Sequence, residues 1–348
     1  MELTLFHEFP PPHVVDRWRE CLRHGDFPTH YTSPEYFREP PEAGQSRVAA
    51  LVWESGEVVG ILTGIQTDRE LTCGLASRPQ ICLRRGRDNT AIMQVLADWL
   101  LADNRSASLI TLYTWTRTEP FARRGFGCVQ ADAVVVLDLT RGPEALLKDF
   151  SANRRINVKK AIRAGVEVVQ TSDEDDFARY YEIHRGWCQH KGVKVQPFEQ
   201  VLALLRLTDN RRLFLARVDG RPIAGIVVRF VPGGLVEYAA CGWYKDALEL
   251  RPNDLLHWRA IEWACASGYR AYSLAGSHLF LRKFGGEVKP TYRYRIDRTF
   301  LRRHEVNAAA VAHVRAVFHR LPSLVQMSVR RLLPKAVVMD GLTSLLAG

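Results

Sequence analysis

The chain has 348 residues, 47% of them apolar, with 48 Lys and Arg against 38 Asp and Glu and a formal net charge of +10. This composition is that of a globular protein, and the length is too great for one ordinary core, so two domains are expected. Met1 to Pro12 lacks a basic region followed by an apolar core, and no run approaches the length needed to span a bilayer, which points to synthesis and function in the cytoplasm.

In chain order, residues 13–24 and 33–39 read as helices. Residues 47–53 and 58–66 read as strands hinged at Glu54-Ser55-Gly56-Glu57, a hairpin with a Gly-containing turn. An apolar segment near 71–83 precedes a helix at 88–103, a strand at 109–114, a short helix around 118–124 and a strand at 133–139. A single helix from 144 to 164 follows, with Pro143 in its first turn, Leu146, Leu147, Phe150, Val158, Ala161 and Ile162 as its buried stripe, and Gly165 as its stop.

The second half repeats the order. Helices are predicted at 173–190 and 197–207, strands at 213–218, 222–231 and 235–241 around a turn at Asp219-Gly220, a helix at 252–267, and strands at 269–274 and 291–296. Similar element order in both halves implies a duplicated α/β (α+β) domain with mixed, mostly antiparallel sheets flanked by helices. The expected division is 1–142, 143–300, and a helical tail from 301 to 348.

The excess charge is concentrated. Residues 153–166 hold five cations and no acid, and residues 301–348 hold seven cations against two acids, while the rest of the chain is balanced. On a helix, Arg155, Lys159 and Arg163 share one face, with no acidic partner one turn away. Two such patches suggest anionic partners, namely phosphates, nucleic acid or acidic lipid headgroups. In the tail, residues 306–321 give an apolar face of Val311, Val314, Val317, Phe318 and Leu321 with Arg315, His319 and Arg320 on its flank. A second apolar and basic segment runs from 324 to 338. The tail either packs on the second domain or lies on an anionic lipid surface. Seven scattered cysteines without a Cys-x-x-Cys pair, and no His cluster, predict neither a zinc site nor a disulfide framework. Cys241 and Cys265 read as core.

The basic stretch 153–166 is followed by Tyr180-Tyr181-Glu182-Ile183-His184, His190-Lys191-Gly192-Val193 and Pro197-Phe198. Next come Val218-Asp219-Gly220-Arg221-Pro222-Ile223-Ala224-Gly225, residues 255–263, residues 272–277 and Phe284-Gly285-Gly286. This series resembles the second domain of the Fem-type (FemABX) transferases and their BioF2-like acetyltransferase relatives in the GNAT superfamily. It covers about 140–297; the first half matches by element order and by Ser33-Pro34-Glu35-Tyr36-Phe37. The resemblance implies paired GNAT-like domains and acyl or aminoacyl transfer onto an amine. In Fem-type members the donor is an aminoacyl-tRNA and the acceptor a peptidoglycan precursor carrying a diphosphate. This sequence departs at two positions: the family's lysine three residues before the Phe-Gly is Leu281, and an Asp expected ahead of that segment is Ser273. The coiled-coil arm of some members is missing.

Acyl transfer to an amine needs a deprotonated nucleophile, donors aimed at the developing oxyanion and a hold on the activated carrier. Gly-x-Ser-x-Gly is absent, so direct attack without a covalent enzyme intermediate is the simpler mechanism. The candidate catalytic residues are Tyr238, His278, Arg282 and Lys283. The candidate phosphate- and substrate-binding residues are Arg154, Arg155, Lys159, Lys160, Arg163, His184 and Glu237. No tightly bound cofactor or metal is expected. The donor cosubstrate is a charged tRNA or an acyl-CoA, with tRNA favoured because the segment 249–254 has no glycine to present amides to a pyrophosphate. The acceptor is an amine on a small molecule or cell-envelope precursor. The alternative is a noncatalytic basic adaptor that keeps the fold and binds RNA or an anionic membrane surface.

Overall fold

The computed structural model describes residues 1–39 and 41–320. The first half contains β1 (Glu2–Phe6), α1 (Pro12–Arg23), β2 (Ser46–Glu54), β3 (Glu57–Gln66), β4 (Glu70–Leu75), β5 (Arg78–Pro79), β6 (Ile81–Leu83), α2 (Asn89–Ala102), β7 (Leu109–Thr114), α3 (Glu119–Arg123) and β8 (Gly127–Asp138). The second half contains α4 (Pro143–Asp149), α5 (Ala152–Arg163), β9 (Glu167–Thr171), α6 (Glu174–Lys191), α7 (Phe198–Leu205), β10 (Arg211–Val218), β11 (Arg221–Phe230) and β12 (Leu235–Trp243). It continues with α8 (Pro252–Ala266), β13 (Ala271–Ser273), α9 (Leu279–Arg282), β14 (Glu287–Asp297) and α10 (Arg303–Arg320).

The duplication expected from element order is present in the backbone. In the first half β2 and β3 form a hairpin whose two turn residues, Ser55 and Gly56, both have positive φ (50° and 76°). In the second half β10 and β11 repeat it at Asp219 and Gly220 (49° and 75°). This is the primed turn geometry that matches strand twist, and it explains why an Asp-Gly or Ser-Gly pair stands there. Each hairpin is followed by a third antiparallel strand and then by a parallel neighbour reached through a helix: β4 beside β7 across α2, and β12 beside β13 across α8.

All strands join one sheet in the order β1-β2-β3-β4-β7-β14-β8-β13-β12-β11-β10-β9, with β5 and β6 paired off this path. Its centre is an exchange. The strand that ends the first half, β8, pairs with β13, and the strand that ends the sheet of the second half, β14, pairs with β7; β8 and β14 also pair with each other. Long β8 and β14, which were read as the shorter strands 133–139 and 291–296, therefore tie the two halves through backbone hydrogen bonds.

Alternate residues of β10 and β11 enter different cores, as the pleat requires. Phe214, Ala216, Ile226 and Val228 pack with α5 and α8 on one face, while Leu213, Leu215 and Val227 pack with α6 and α7 on the other. The first half buries Val48, Leu62, Leu96, Ile110 and Leu112 in its own core.

Two expectations need correction. The helix predicted from 144 to 164 is broken: Phe150 takes an extended conformation (φ −59°, ψ 140°), and Ser151 caps a second helix by accepting from the Arg154 amide at 3.4 Å. Phe150 leaves the helical path to fill the core against Trp258 and Phe284. The break rotates α5, so Val158 and Ala161 stay buried but Ile162 is exposed. The segment 33–39 is a 3-10 helix, Pro34–Arg38. Sequence reasoning also missed β1 and β9, two short edge strands. Of the expected tail, residues 321–348 and the side chains of Arg315, Phe318, His319 and Arg320 lie outside the described residues.

Candidate active site

The opening between β12 and β13 organises the site. Their parallel pairing runs from Leu235 with Ala271 to Glu237 with Ser273 and then stops, whereas β12 continues to Trp243. A bulge at Ala239 shifts the register between β11 and β12 just where the neighbours part. Beyond it the chain after β13 turns away at Ala275, which has φ of 56°, and follows β8 instead, with Leu274 and Gly276 bonded to Val135. Among the described residues the strand edge past Glu237 has no ladder partner on that side, and such edges bind extended ligands.

On the α5/α8 face, the basic stretch meets the start of α8. Arg154 is buried, its Nη1 lies 2.5 Å from Asp254 Oδ1, its Nη2 donates to the Phe280 carbonyl at 3.3 Å, and its guanidinium sits 3.6 Å from the Phe280 ring centroid. Asp254 is itself buried in the first turn of α8, behind Arg251 in the left-handed region and Pro252. Beside this pair is a cavity of about 490 Å³ lined by Asn153, Asn157, Arg251, Asn253, Phe280 and Lys283, among others. Lys160 continues the helical row of Asn153 and Asn157 away from the cavity. Deeper in, His257 is buried between the Tyr238 and Phe284 rings (centroids 4.8 and 5.0 Å). Burial, reinforced by the charges of Arg154 and His278, lowers the imidazole to about 3, so His257 is neutral. His278, exposed at the start of α9, is lowered by partial burial and by Arg154. Burial raises the Tyr238 hydroxyl well above its ordinary value, which keeps it a hydrogen-bond donor.

On the opposite face a groove separates the two halves. Glu237 is buried, forms an ion pair with Arg78 Nε at 2.9 Å and accepts from Arg229 Nη2 at 3.1 Å, and Arg229 lies 4.6 Å from the Tyr31 ring centroid. Next to it, buried Glu39 bonds His30 Nε2 at 2.5 Å and pairs with Arg211. Burial alone would raise the Glu39 carboxyl, but the His30 bond and the guanidiniums of Arg211 and Arg229 hold it below the usual range. Burial lowers His30, which therefore donates to Glu39 as a neutral ring. Two cavities of about 330 and 420 Å³ flank this network and share Glu39, Gln196, Leu204 and Arg229. His184 lines the first; its Nδ1 contacts the Cys241 carbonyl at 2.6 Å and its Nε2 the Cys188 sulfur at 3.4 Å. A Cβ on Gly242 would come within 2.7 Å of the His184 backbone, so glycine is what lets α6 sit this close to β12.

The structure thus sorts the candidate residues. Arg154, Lys283, His278 and Tyr238 gather on the α8 side, and Glu237 and His184 line the groove. Arg282 is exposed and donates to the Ser277 carbonyl at 2.5 Å. Arg155 folds back onto the carbonyls of Lys148 and Phe150. Lys159, Lys160 and Arg163 are exposed on α5. Leu281, at the family's lysine position, is a core residue at 4% exposure. The residues that sequence reasoning missed are Asp254, His257, Arg78, Arg229, Glu39 and Arg211, brought together from distant segments. A further cavity of about 850 Å³ is remote from the opening, at the starts of β12, β13 and β14.

Residues 149–287 match the family model of the acetyltransferase (GNAT) domain. Whole-chain structural comparison extends the likeness across both halves. A crystal structure of FemX superposes with a TM-score of 0.68 at 12% identity, covering 85% of this chain and 98% of FemX. The chain carries the FemABX-like GNAT fold. The C-terminal domain of a putative lysylphosphatidylglycerol synthetase from Agrobacterium fabrum gives 0.57 at 13% identity over 85% of this chain and 96% of that one. A tandem GNAT protein from the clavulanic acid biosynthesis pathway gives 0.53 at 15% identity over 86% and 99%. Nothing among the curated proteins matches the sequence. The chain has, among its described residues, no group of three His, Cys, Asp or Glu placed to hold a metal and no helix long and apolar enough to cross a membrane.

Proposed function

We propose that the chain is an N-acyltransferase that moves an aminoacyl group from a charged tRNA to an amine, with the donor entering from the α8 side and the acceptor from the groove. The observation that carries the donor assignment is Asp254. A helix N-terminus attracts a pyrophosphate through free amides and a positive dipole end. At α8 that position is held by the chain's own buried carboxylate, clamped by Arg154. An acyl-CoA pyrophosphate placed there would face Asp254, whereas the phosphates of a larger carrier reach Lys283, Arg251, Lys160 and the exposed cations of α5 without entering it.

Chemically, the acceptor amine nitrogen attacks the aminoacyl carbonyl and its proton passes to solvent or to His278, whose lowered pKa leaves it free to accept one; the ester bond to the carrier ribose then breaks, and the ribose oxygen takes up a proton from the same source and leaves as a hydroxyl. The oxyanion forms beside the unpaired edge of β12 and the protonated Tyr238 hydroxyl. The acceptor is a small molecule or a cell-envelope precursor. An anionic group on it would meet Arg78 and Arg229, which share Glu237 as their ion-pair partner. The enzyme works in the cytoplasm, peripherally at the inner membrane face, and its two domains divide at 142/143.

Two observations favour other readings. Pro252 and Arg251 give α8 a well-formed start, which suits an acyl-CoA donor, and buried Leu281 in place of the family's lysine suits a noncatalytic adaptor. Incubation with a mixed charged tRNA pool, or separately with short and long acyl-CoA species, against a panel of amines decides among them by mass spectrometry. Loss of one aminoacyl-tRNA with a matching mass gain on an amine is the expected result. Consumption of a CoA thioester, or of neither donor, refutes the proposal.

A further inference from the structure

At the end of β14 the chain makes a tight turn that exposes its largest apolar side chains. Phe300 is 85% and Leu301 75% exposed. Leu301 and Arg302 are both in the left-handed region (φ 54° and 48°), a conformation that costs a non-glycine residue about 1 kcal/mol or more. The turn is nevertheless held firmly. Arg298 donates to the carbonyls of Asn104, Arg105 and Ala107; Asp297 Oδ2 accepts from the amides of His304 and Glu305; and Glu305 pairs with Arg293 and Arg295. The turn is thus fixed by polar contacts at its base, while Phe300 and Leu301 at its tip are left facing water.

The helix that follows carries the same property onward. Val306, Val311, Val314 and Val317 of α10 are all exposed, and at helical spacing they fall within roughly 140° of its circumference. Around them, residues 298–320 contain five Arg and one acid, and that acid, Glu305, is already paired with Arg293 and Arg295.

We infer that the Phe300-Leu301 turn and the valine face of α10 form a docking surface for an anionic lipid bilayer, with the turn inserted among the headgroups. This rests on the proposed peripheral location and deepens it. Charge decides between lipid and a second copy of the chain. A twofold contact through this face would press two copies of the same positively charged patch together, whereas acidic headgroups neutralise its arginines and each Lys or Arg near such a surface adds to binding. Orientation fits as well. β13 and β14 run in the same direction, both antiparallel to β8, so the turn stands at the same end of the sheet as the opening beside β12. Docking would therefore turn that opening toward the membrane side.

The test is sedimentation of the full chain with vesicles of phosphatidylglycerol mixed with phosphatidylcholine, and with phosphatidylcholine alone. The wild type is expected to bind the anionic vesicles, more weakly as salt rises, and to leave the neutral ones. The variant Phe300→Ser/Leu301→Ser should lose about tenfold in binding while elution volume, thermal midpoint and transfer to a soluble amine stay unchanged. Transfer activity is read separately, so an inactive protein that still binds vesicles would refute the donor reading and leave the surface standing. Equal binding to both vesicle types, unaltered binding by the double variant, or wild-type dimers that the variant converts to monomers would overturn the inference.

Discussion

The chain has two basic regions that look alike as text, the stretch 153–163 and the segment 298–320, and the fold treats them in opposite ways. In the first, the most central cation is consumed: Arg154 is buried against Asp254, one hundred residues away, and Arg155 turns back onto backbone carbonyls. Only Lys159, Lys160 and Arg163 keep their charges in water. In the second, cations and large apolar side chains are exposed together around a strained turn. A run of Lys and Arg therefore says that charge is concentrated, and only the fold says which charges serve a ligand and which serve the structure.

The sharpest way to break this contrast is at Arg154. Its removal leaves the Asp254 carboxylate buried without a partner, and Arg154→Ala should lose about 3–5 kcal/mol of stability, read as a fall in the thermal midpoint of roughly ten degrees. Arg154→Leu with Asp254→Leu should lose much less, since a buried pair replaced by apolar groups can be nearly neutral. A stable Arg154→Ala protein that simply binds phosphates more weakly would make Arg154 a ligand group.

A smaller loss is expected at the other buried network. The folded state holds the Glu39 carboxyl below its unfolded value, so its contribution is fully present above the ordinary carboxylate pKa, about 4.3, and disappears as pH falls through the lower folded value. Glu39→Gln should cost about 2–3 kcal/mol at neutral pH, because Arg211 loses its counter-charge. It should also flatten the loss of stability below about pH 4.5 in urea denaturation followed across pH. An unchanged acid limb would show that other carboxylates set it.

The smallest effect on stability comes with a clear effect on binding. Lys159→Gln, Lys160→Gln and Arg163→Gln together should leave the thermal midpoint nearly unchanged, since exposed substitutions cost about 0.5 kcal/mol or less each. The same triple variant should weaken tRNA binding about tenfold and lower the slope of log affinity against log salt by about 2 to 3. Unaltered tRNA affinity would remove α5 from the donor surface.

Much of the architecture could be read before any coordinates, for local reasons. Ser55-Gly56 and Asp219-Gly220 mark their hairpins because the turn needs positive φ, and Pro252 marks the start of α8 because its ring suits a first helical turn. The break at Phe150 was hidden because Leu146, Phe150, Val158 and Ala161 keep helical spacing across it, and only Ser151 hinted at a new cap. The exchange of β8 and β14 has no local signature, since both are ordinary alternating strands whose partners lie far along the chain. The site divides the same way. Glu237 and Tyr238 were found on their strand, but Asp254 and the ring of Glu39, His30 and Arg211 gain meaning only from partners up to 172 residues distant.

The central claim is that donor and acceptor approach from opposite faces of the sheet, and steady-state transfer with variants on each face tests it most directly. Lys283→Ala should raise KM for the aminoacyl-tRNA about tenfold and leave KM for the amine unchanged, while Arg229→Ala should do the reverse. If both variants shift the same KM, or if Lys283→Ala affects the amine alone, the two substrates do not divide between the faces as described.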